Sequence, residues 1–73
     1  MNERDIIREV LALRGVTQVG LGERLGYAST SAVSTMLNRQ SMKTDGVVKF
    51  LDELGCELVI RMKDENREWV VRY

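Results

Sequence analysis

The sequence contains no histidine and a single cysteine, Cys56. One thiol cannot form an internal disulfide, and a chain without a Cys/His set lacks the usual ligands of a zinc site. Cys56 is therefore interpreted as a small buried apolar residue. No apolar run approaches the roughly 18 residues that cross a bilayer, so no contact with a membrane is expected. The start, MNERD, mixes acids and bases unlike a signal peptide, which predicts a cytoplasmic protein.

Excess charge of either sign is also absent. Eleven Lys and Arg balance eleven Asp and Glu, which argues against a basic nucleic-acid-binding tail but leaves a local basic face possible. Acid–base catalysis needs a histidine or paired carboxylates in a pocket. Here the acids are scattered along polar faces, so neither an enzyme nor a cofactor is expected. With 73 residues, 44% of them hydrophobic, the chain is one globular domain with a small core.

Apolar residues at helical spacing predict a first helix over residues 3 to 14, ended by Gly15 in a left-handed conformation. Its apolar stripe is formed by Ile6, Val10 and Leu13, and is widened by Ile7 and Leu11.

Thr17 is predicted to cap a short second helix, which Gly26 ends and which buries Leu21 and Leu25. Gly20 and Gly22 lie inside this helix, where each costs about 1 kcal/mol relative to alanine. A neighbouring helix that crosses closely would explain Gly22, whereas the sequence offers no reason for Gly20.

The stretch GYASTSAVSTMLNR, residues 26 to 39, is rich in hydroxyl residues and has no acid. Ser29 or Thr30 is predicted to cap a third helix over about residues 30–38, with Val33, Met36 and Leu37 facing inward. A helix cap accounts for only one of these hydroxyl residues. A solvent-exposed helix face usually carries longer side chains that favour the helix more strongly, so the remaining hydroxyls need another explanation. Small polar side chains suit a helix that enters the DNA major groove, because Ser and Thr can contact base edges there.

A fourth helix is predicted over residues 44–55, with Thr44 or Asp45 as its cap. Its inward residues are predicted to be Val47, Val48, Leu51 and Leu54.

The pattern then alternates, which predicts two strands joined at residues 64–67. A loop of two or four residues pairs Met62 with Trp69 and Ile60 with Val71, whereas a three-residue loop pairs Met62 with Glu68. The first register places the larger apolar residues on one face and is preferred; that face consists of Leu58, Ile60, Met62, Trp69, Val71 and Tyr73.

The hairpin has two possible roles. It can fold back over the four helices, or it can pair with a second copy and form the interface of a homodimer. The dimer is favoured because small cores commonly rely on oligomerisation and because two-fold operators are read by dimers.

A short helix, a tight connection and a polar-faced helix have the geometry of a helix-turn-helix. The chain resembles the Cro/repressor-type (xenobiotic-response-element-like) helix-turn-helix family in several ordered features. These are Thr17-Gln18, Leu21 followed by a small residue, Leu25-Gly26, Val33-Ser34 and the downstream run VVKFLDELG. The resemblance covers about residues 5 to 55. It departs from the family at Gly22, where Ala is usual, at Leu37, where Glu is frequent, and in a turn one residue longer than the shortest.

The resemblance implies roles for particular side chains. Base edges would be contacted by Thr30, Ser31 and Thr35. DNA phosphates would be contacted by Gln18, Ser29, Asn38, Arg39 and Lys43.

The sequence thus predicts a mainly α fold: a four-helix repressor-like helix-turn-helix domain over residues 1–55, with a C-terminal β-hairpin over residues 56–73. The predicted function is sequence-specific binding of a double-stranded DNA operator by a dimeric transcriptional regulator, expected to be a repressor. One alternative is an antitoxin-like regulator that also binds a protein toxin. The other is a protein-binding module that keeps the fold without binding DNA.

Overall fold

The computed structural model describes all residues, 1–73. Four helices precede two antiparallel strands, in the order α1 Glu3–Arg14, α2 Gln18–Arg24, α3 Ala32–Leu37, α4 Thr44–Glu53, β1 Leu58–Arg61 and β2 Glu68–Val71. The fold is mainly α, as the sequence predicts, with 48% of the chain helical. None of the helices has the length and apolar character needed to cross a membrane.

The bounds predicted for α1 are confirmed. Asn2 caps the helix by accepting a hydrogen bond from the amide of Asp5 at 2.8 Å, and Gly15 follows the helix with φ 66°. The predicted apolar stripe is partly wrong, because Ile7 and Leu11 form its buried centre while Leu13 is 80% exposed. Successive residues rotate by about 100° around a helix, so Leu13 points away from the side on which Leu11 meets the core.

The predicted cap of α2 is also confirmed. The hydroxyl of Thr17 accepts a hydrogen bond from the amide of Gly20 at 2.9 Å. The helix ends at Arg24, and Gly26 reverses the chain with φ 76°. Leu21 is fully buried and Leu25 is half-buried, so this helix packs through the face that its sequence indicates.

The predicted limits of α3 are wrong at the start. The helix comprises only Ala32–Leu37, and Ser31 occupies the N-cap position without a side-chain cap bond. Neither Ser29 nor Thr30 caps it, because the Ser29 hydroxyl bonds to Ser31 instead, at 2.9 Å between the two Oγ atoms. The inward face is as predicted, with Val33 and Leu37 buried and Met36 packed beside them.

In α4 three predictions need correction: the cap, the end of the helix and the position of Val48. The residue at the N-cap position is Lys43, while Asp45 accepts a hydrogen bond from the adjacent amide of Gly46 at 2.9 Å. The helix ends at Glu53 rather than at residue 55. Phe50, which the sequence interpretation did not place in the core, is fully buried there, whereas Val48 is only half-buried.

The hairpin forms in a register different from the predicted one. Ile60 pairs with Trp69 and Leu58 with Val71, so β2 is shifted by two residues along β1 relative to the predicted pairing. Because the shift is even, these four side chains remain on one face of the hairpin. The amide of Met62 continues the ladder by donating to the carbonyl of Arg67 at 3.0 Å. The loop is therefore residues 63–66, one residue earlier than predicted, and Tyr73 lies beyond the paired strands.

Eight apolar residues of the four helices, and Leu54 directly after α4, form one buried core: Ile7, Leu11, Leu21, Val33, Leu37, Val47, Phe50, Leu51 and Leu54. Among strand residues only Leu58 packs against it. The hairpin therefore extends from the helices instead of covering them, and the molecule measures 42 × 24 × 23 Å along its principal axes.

Candidate nucleic-acid interface

The outward face of α3 and the residues directly at its two ends carry only small uncharged side chains. Ser31, Thr35 and Asn38 are all exposed, while Val33 and Leu37 on the opposite side are buried. The helix is thus anchored through its apolar side against the rest of the domain. Its polar side is free to approach another surface closely.

Three of the uncharged side chains predicted to contact DNA have no hydrogen-bond partner within the protein, namely Gln18, Thr30 and Thr35. Thr30 lies just before α3 and Thr35 lies within it. Gln18 is the first residue of α2, after the capping Thr17. Because their polar groups have no internal partner, these side chains retain their capacity to bond a ligand. The hydroxyls of Ser29 and Ser31 instead form a hydrogen bond with each other.

Arg8 of α1 fixes the carboxyl end of α3. Its Nη2 donates to the carbonyl of Leu37 at 2.6 Å and to Oδ1 of Asn38 at 3.1 Å. The last carbonyls of a helix lack intrahelical partners, and a cation there also suits the helix dipole. Nδ2 of Asn38 donates to the hydroxyl of Ser34 at 3.4 Å. Asn38 is therefore held in one orientation at the end of α3.

The loop after α3 is also tied to the start of α1. Arg4 donates a hydrogen bond to the carbonyl of Arg39, and the amide of Met42 donates to the carboxylate of Glu3 at 3.0 Å. Hydrogen bonds to the carboxylate from its own amide and from that of Met42, with a smaller contribution from Arg4, lower the pKa of Glu3. The loop that carries Arg39 and Lys43 thus has a defined position beside α3.

The surface around α3 is locally basic although the whole chain is neutral. No acidic residue occurs between Arg24 and Thr44. The fold adds Arg4 and Arg8 to the end of α3, although part of their charge is balanced by Glu3 and Asp5. The sequence interpretation missed these two arginines, yet their spacing of four places them on one face of α1.

The residues of the predicted dimer interface form an exposed apolar surface. Ile60 is 59% and Trp69 49% exposed, and these two are cross-strand partners. Leu58 and Val71 form the half-buried base of the same face. Met62 adjoins the tip and is 38% exposed, whereas Tyr73 at the chain end is 82% exposed. Five of the six predicted residues thus share one face of the hairpin, whereas Tyr73 lies beyond the paired strands.

Comparison with known protein families, with curated proteins and with solved structures found no match for this chain.

Proposed function

We propose that the protein is a small sequence-specific regulator that binds double-stranded DNA through a helix-turn-helix formed by α2 and α3, and that it acts as a repressor. The observation that carries this proposal is the outward face of α3, where Ser31, Thr35 and Asn38 are exposed and uncharged. The major groove is about 12 Å wide and accepts a helix whose outer side chains are short. Thr35 contacts base edges from the middle of the helix.

The electrostatics of the surroundings support the same function. Arg39 and Lys43 follow α3 within residues 25–44, a stretch without an acid, and neither side chain has an ion-pair partner. Basic side chains that lack internal partners can displace counterions from DNA phosphates, which supplies sequence-independent affinity. The polar face of α3 then supplies the sequence preference.

The protein binds its operator as a homodimer through the hairpin. A lone hairpin is marginally stable in water, and this one leaves Ile60 and Trp69 largely uncovered. The base of the hairpin and α4 border an open groove of about 470 Å³. The apolar lining of this groove includes Val48, Val71 and Tyr73. Pairing with a second hairpin would cover this face and provide the two-fold symmetry that a palindromic operator requires.

Selection from random duplex DNA at about 0.1 M salt tests the function. We expect the wild-type protein to retain a pseudo-palindrome with half-sites about 10 base pairs apart. Thr35→Glu places a carboxylate against the bases and should abolish the enrichment. Ala12→Glu adds the same charge at an exposed position of α1 and should preserve it.

Two results would contradict the proposal. Enrichment of the same sequence by folded Thr35→Glu would exclude α3 as the element that reads DNA. No enrichment by the wild-type protein would favour the alternatives, a protein-binding module or a regulator whose exposed hairpin face binds a protein such as a toxin.

A further inference from the structure

A groove of about 260 Å³ lies beside α3, on the side of Met36. We name it the basic groove and define it by six of its lining residues: Tyr27, Met36, Arg39, Lys43, Asp45 and Lys49. It thus adjoins α3 through Met36 and the loop after α3 through Arg39 and Lys43.

Three cations converge on the basic groove against one acid. None of the side chains of Arg39, Lys43 and Lys49 forms an ion pair within the protein. The carboxylate of Asp45 is engaged by the amide of Gly46 at 2.9 Å. Like charges that share a concave surface repel one another, and an anion that binds among them relieves this repulsion.

Tyr27 fixes the position of Lys49 in this groove. The ammonium nitrogen of Lys49 lies 5.1 Å from the centroid of the Tyr27 ring, a cation–π distance. The ring is itself held against the buried Phe50, with 6.4 Å between the ring centroids. The phenol hydroxyl has no hydrogen-bond partner in the protein. An ammonium and a free hydroxyl donor are thus placed together at the groove.

We infer that the basic groove binds a phosphodiester of the DNA backbone, with Lys49 and the hydroxyl of Tyr27 as contacts beyond those that the sequence identified. This inference rests on the proposed function. A phosphate oxygen accepts hydrogen bonds from both groups, and Arg39 and Lys43 contact the same strand from the loop. A helix in the major groove is flanked by two backbones, and the basic groove lies directly beside α3, where it would face one of them.

The test measures the dissociation constant for the selected operator by fluorescence anisotropy at salt concentrations from about 50 to 300 mM. Lys49→Gln removes the charge and keeps most of the side-chain stem. Each lost phosphate contact reduces the slope of log K against log salt by about 0.9, or about 1.8 for a dimer. The matched control Lys63→Gln removes an exposed lysine at the hairpin loop and should leave the slope unchanged.

A second variant separates the hydroxyl from the ring. Tyr27→Phe keeps the packing on Phe50 and should weaken binding about tenfold to a hundredfold per protomer, as expected for one hydrogen bond to a charged group, with no change in slope. The ratio of operator to scrambled-DNA affinity should stay constant in both variants, because phosphate contacts carry no sequence information directly. Thermal melts establish that each variant is folded.

The outcomes distinguish this inference from the proposed function. If folded Lys49→Gln shows the same slope of log K against log salt as the wild-type protein, and the wild-type protein prefers the operator, the phosphate site is overturned but the proposed function is not. Absence of DNA binding by the wild-type protein overturns both. If inorganic phosphate at about 10 mM shifts the NMR signals of Lys49 and Tyr27 while Lys49→Gln leaves DNA binding unchanged, the groove binds a free phosphate compound instead of DNA.

Discussion

Replacing each of the two glycines inside α2 by alanine should have different effects on the free energy of unfolding. An alanine inside a helix is favoured over glycine by about 0.8–1.0 kcal/mol. At Gly22 a Cβ atom would lie 3.5 Å from Cγ2 of Val33 and 3.9 Å from Cδ2 of Tyr27, which are ordinary van der Waals distances. We therefore expect Gly22→Ala to stabilise the protein by about 1 kcal/mol, which raises the melting temperature of a domain this size by roughly 4–8 °C.

At Gly20 the same substitution would crowd the side chain that caps the helix. A Cβ atom there would lie 3.0 Å from the hydroxyl oxygen of Thr17, which accepts the hydrogen bond from the Gly20 amide. Displacing this hydroxyl weakens a cap worth about 1 kcal/mol. The propensity gain and the loss of the cap then nearly cancel, so Gly20→Ala should change stability by less than about 0.5 kcal/mol.

A double-mutant cycle makes the test specific. In a Thr17→Ala background no hydroxyl remains to be displaced, and Gly20→Ala should then recover a gain of about 1 kcal/mol. The measurement is unfolding by urea and by heat, followed by circular dichroism at one fixed protein concentration, because a dimer melts in a concentration-dependent way. Additive effects of the Thr17 and Gly20 substitutions, or equal gains at Gly20 and Gly22, would refute this explanation of Gly20.

Three further predictions concern the core, the hairpin and the amino terminus. Leu11→Ala should cost about 2–5 kcal/mol of stability by urea unfolding, whereas Leu13→Ala should cost less than about 0.5 kcal/mol, and similar costs would contradict their assigned faces. Trp69→Ser should yield a folded monomer by light scattering and circular dichroism, and a persistent dimer would exclude the hairpin as its interface. The lowered pKa of Glu3 means that its contribution to stability is present above the unfolded-state pKa of about 4.3 and is lost as the pH falls through the folded-state value. Glu3→Gln should therefore reduce the difference in urea midpoint between about pH 6 and pH 3, and an unchanged difference would exclude this linkage.

Local signals in the sequence predicted those features that depend on neighbouring residues. The bounds of α1 and the cap of α2 followed from helical spacing, Gly15 and Thr17, since a cap and a left-handed glycine act within one turn of the chain. The inward face of α3 followed in the same way. The exposed polar face, which carries the proposed function, was also identified from residues 26–39 alone.

Other features were decided where several elements meet. The hairpin register could not be derived from alternation, because a shift of two residues keeps Ile60, Trp69 and Val71 on the same face, and only the geometry of the loop over residues 63–66 separates the two registers. The start of α3 depended on a choice between two uses of the Ser29 hydroxyl, a helix cap or a bond to Ser31.

The charge around α3 was likewise set by packing. Along the chain, residues 17–43 contain only Arg24, Arg39 and Lys43 against a single acid, Glu23. The fold brings Arg8 from α1 to the carboxyl end of α3 and Lys49 from α4 to the groove beside it. The sequence thus determined which helix is polar and which of its sides is buried, because these depend on periodicity within one element. Only the tertiary structure decided which distant cations lie beside that helix, because electrostatic and hydrogen-bond interactions depend on distance in space and not on separation along the chain.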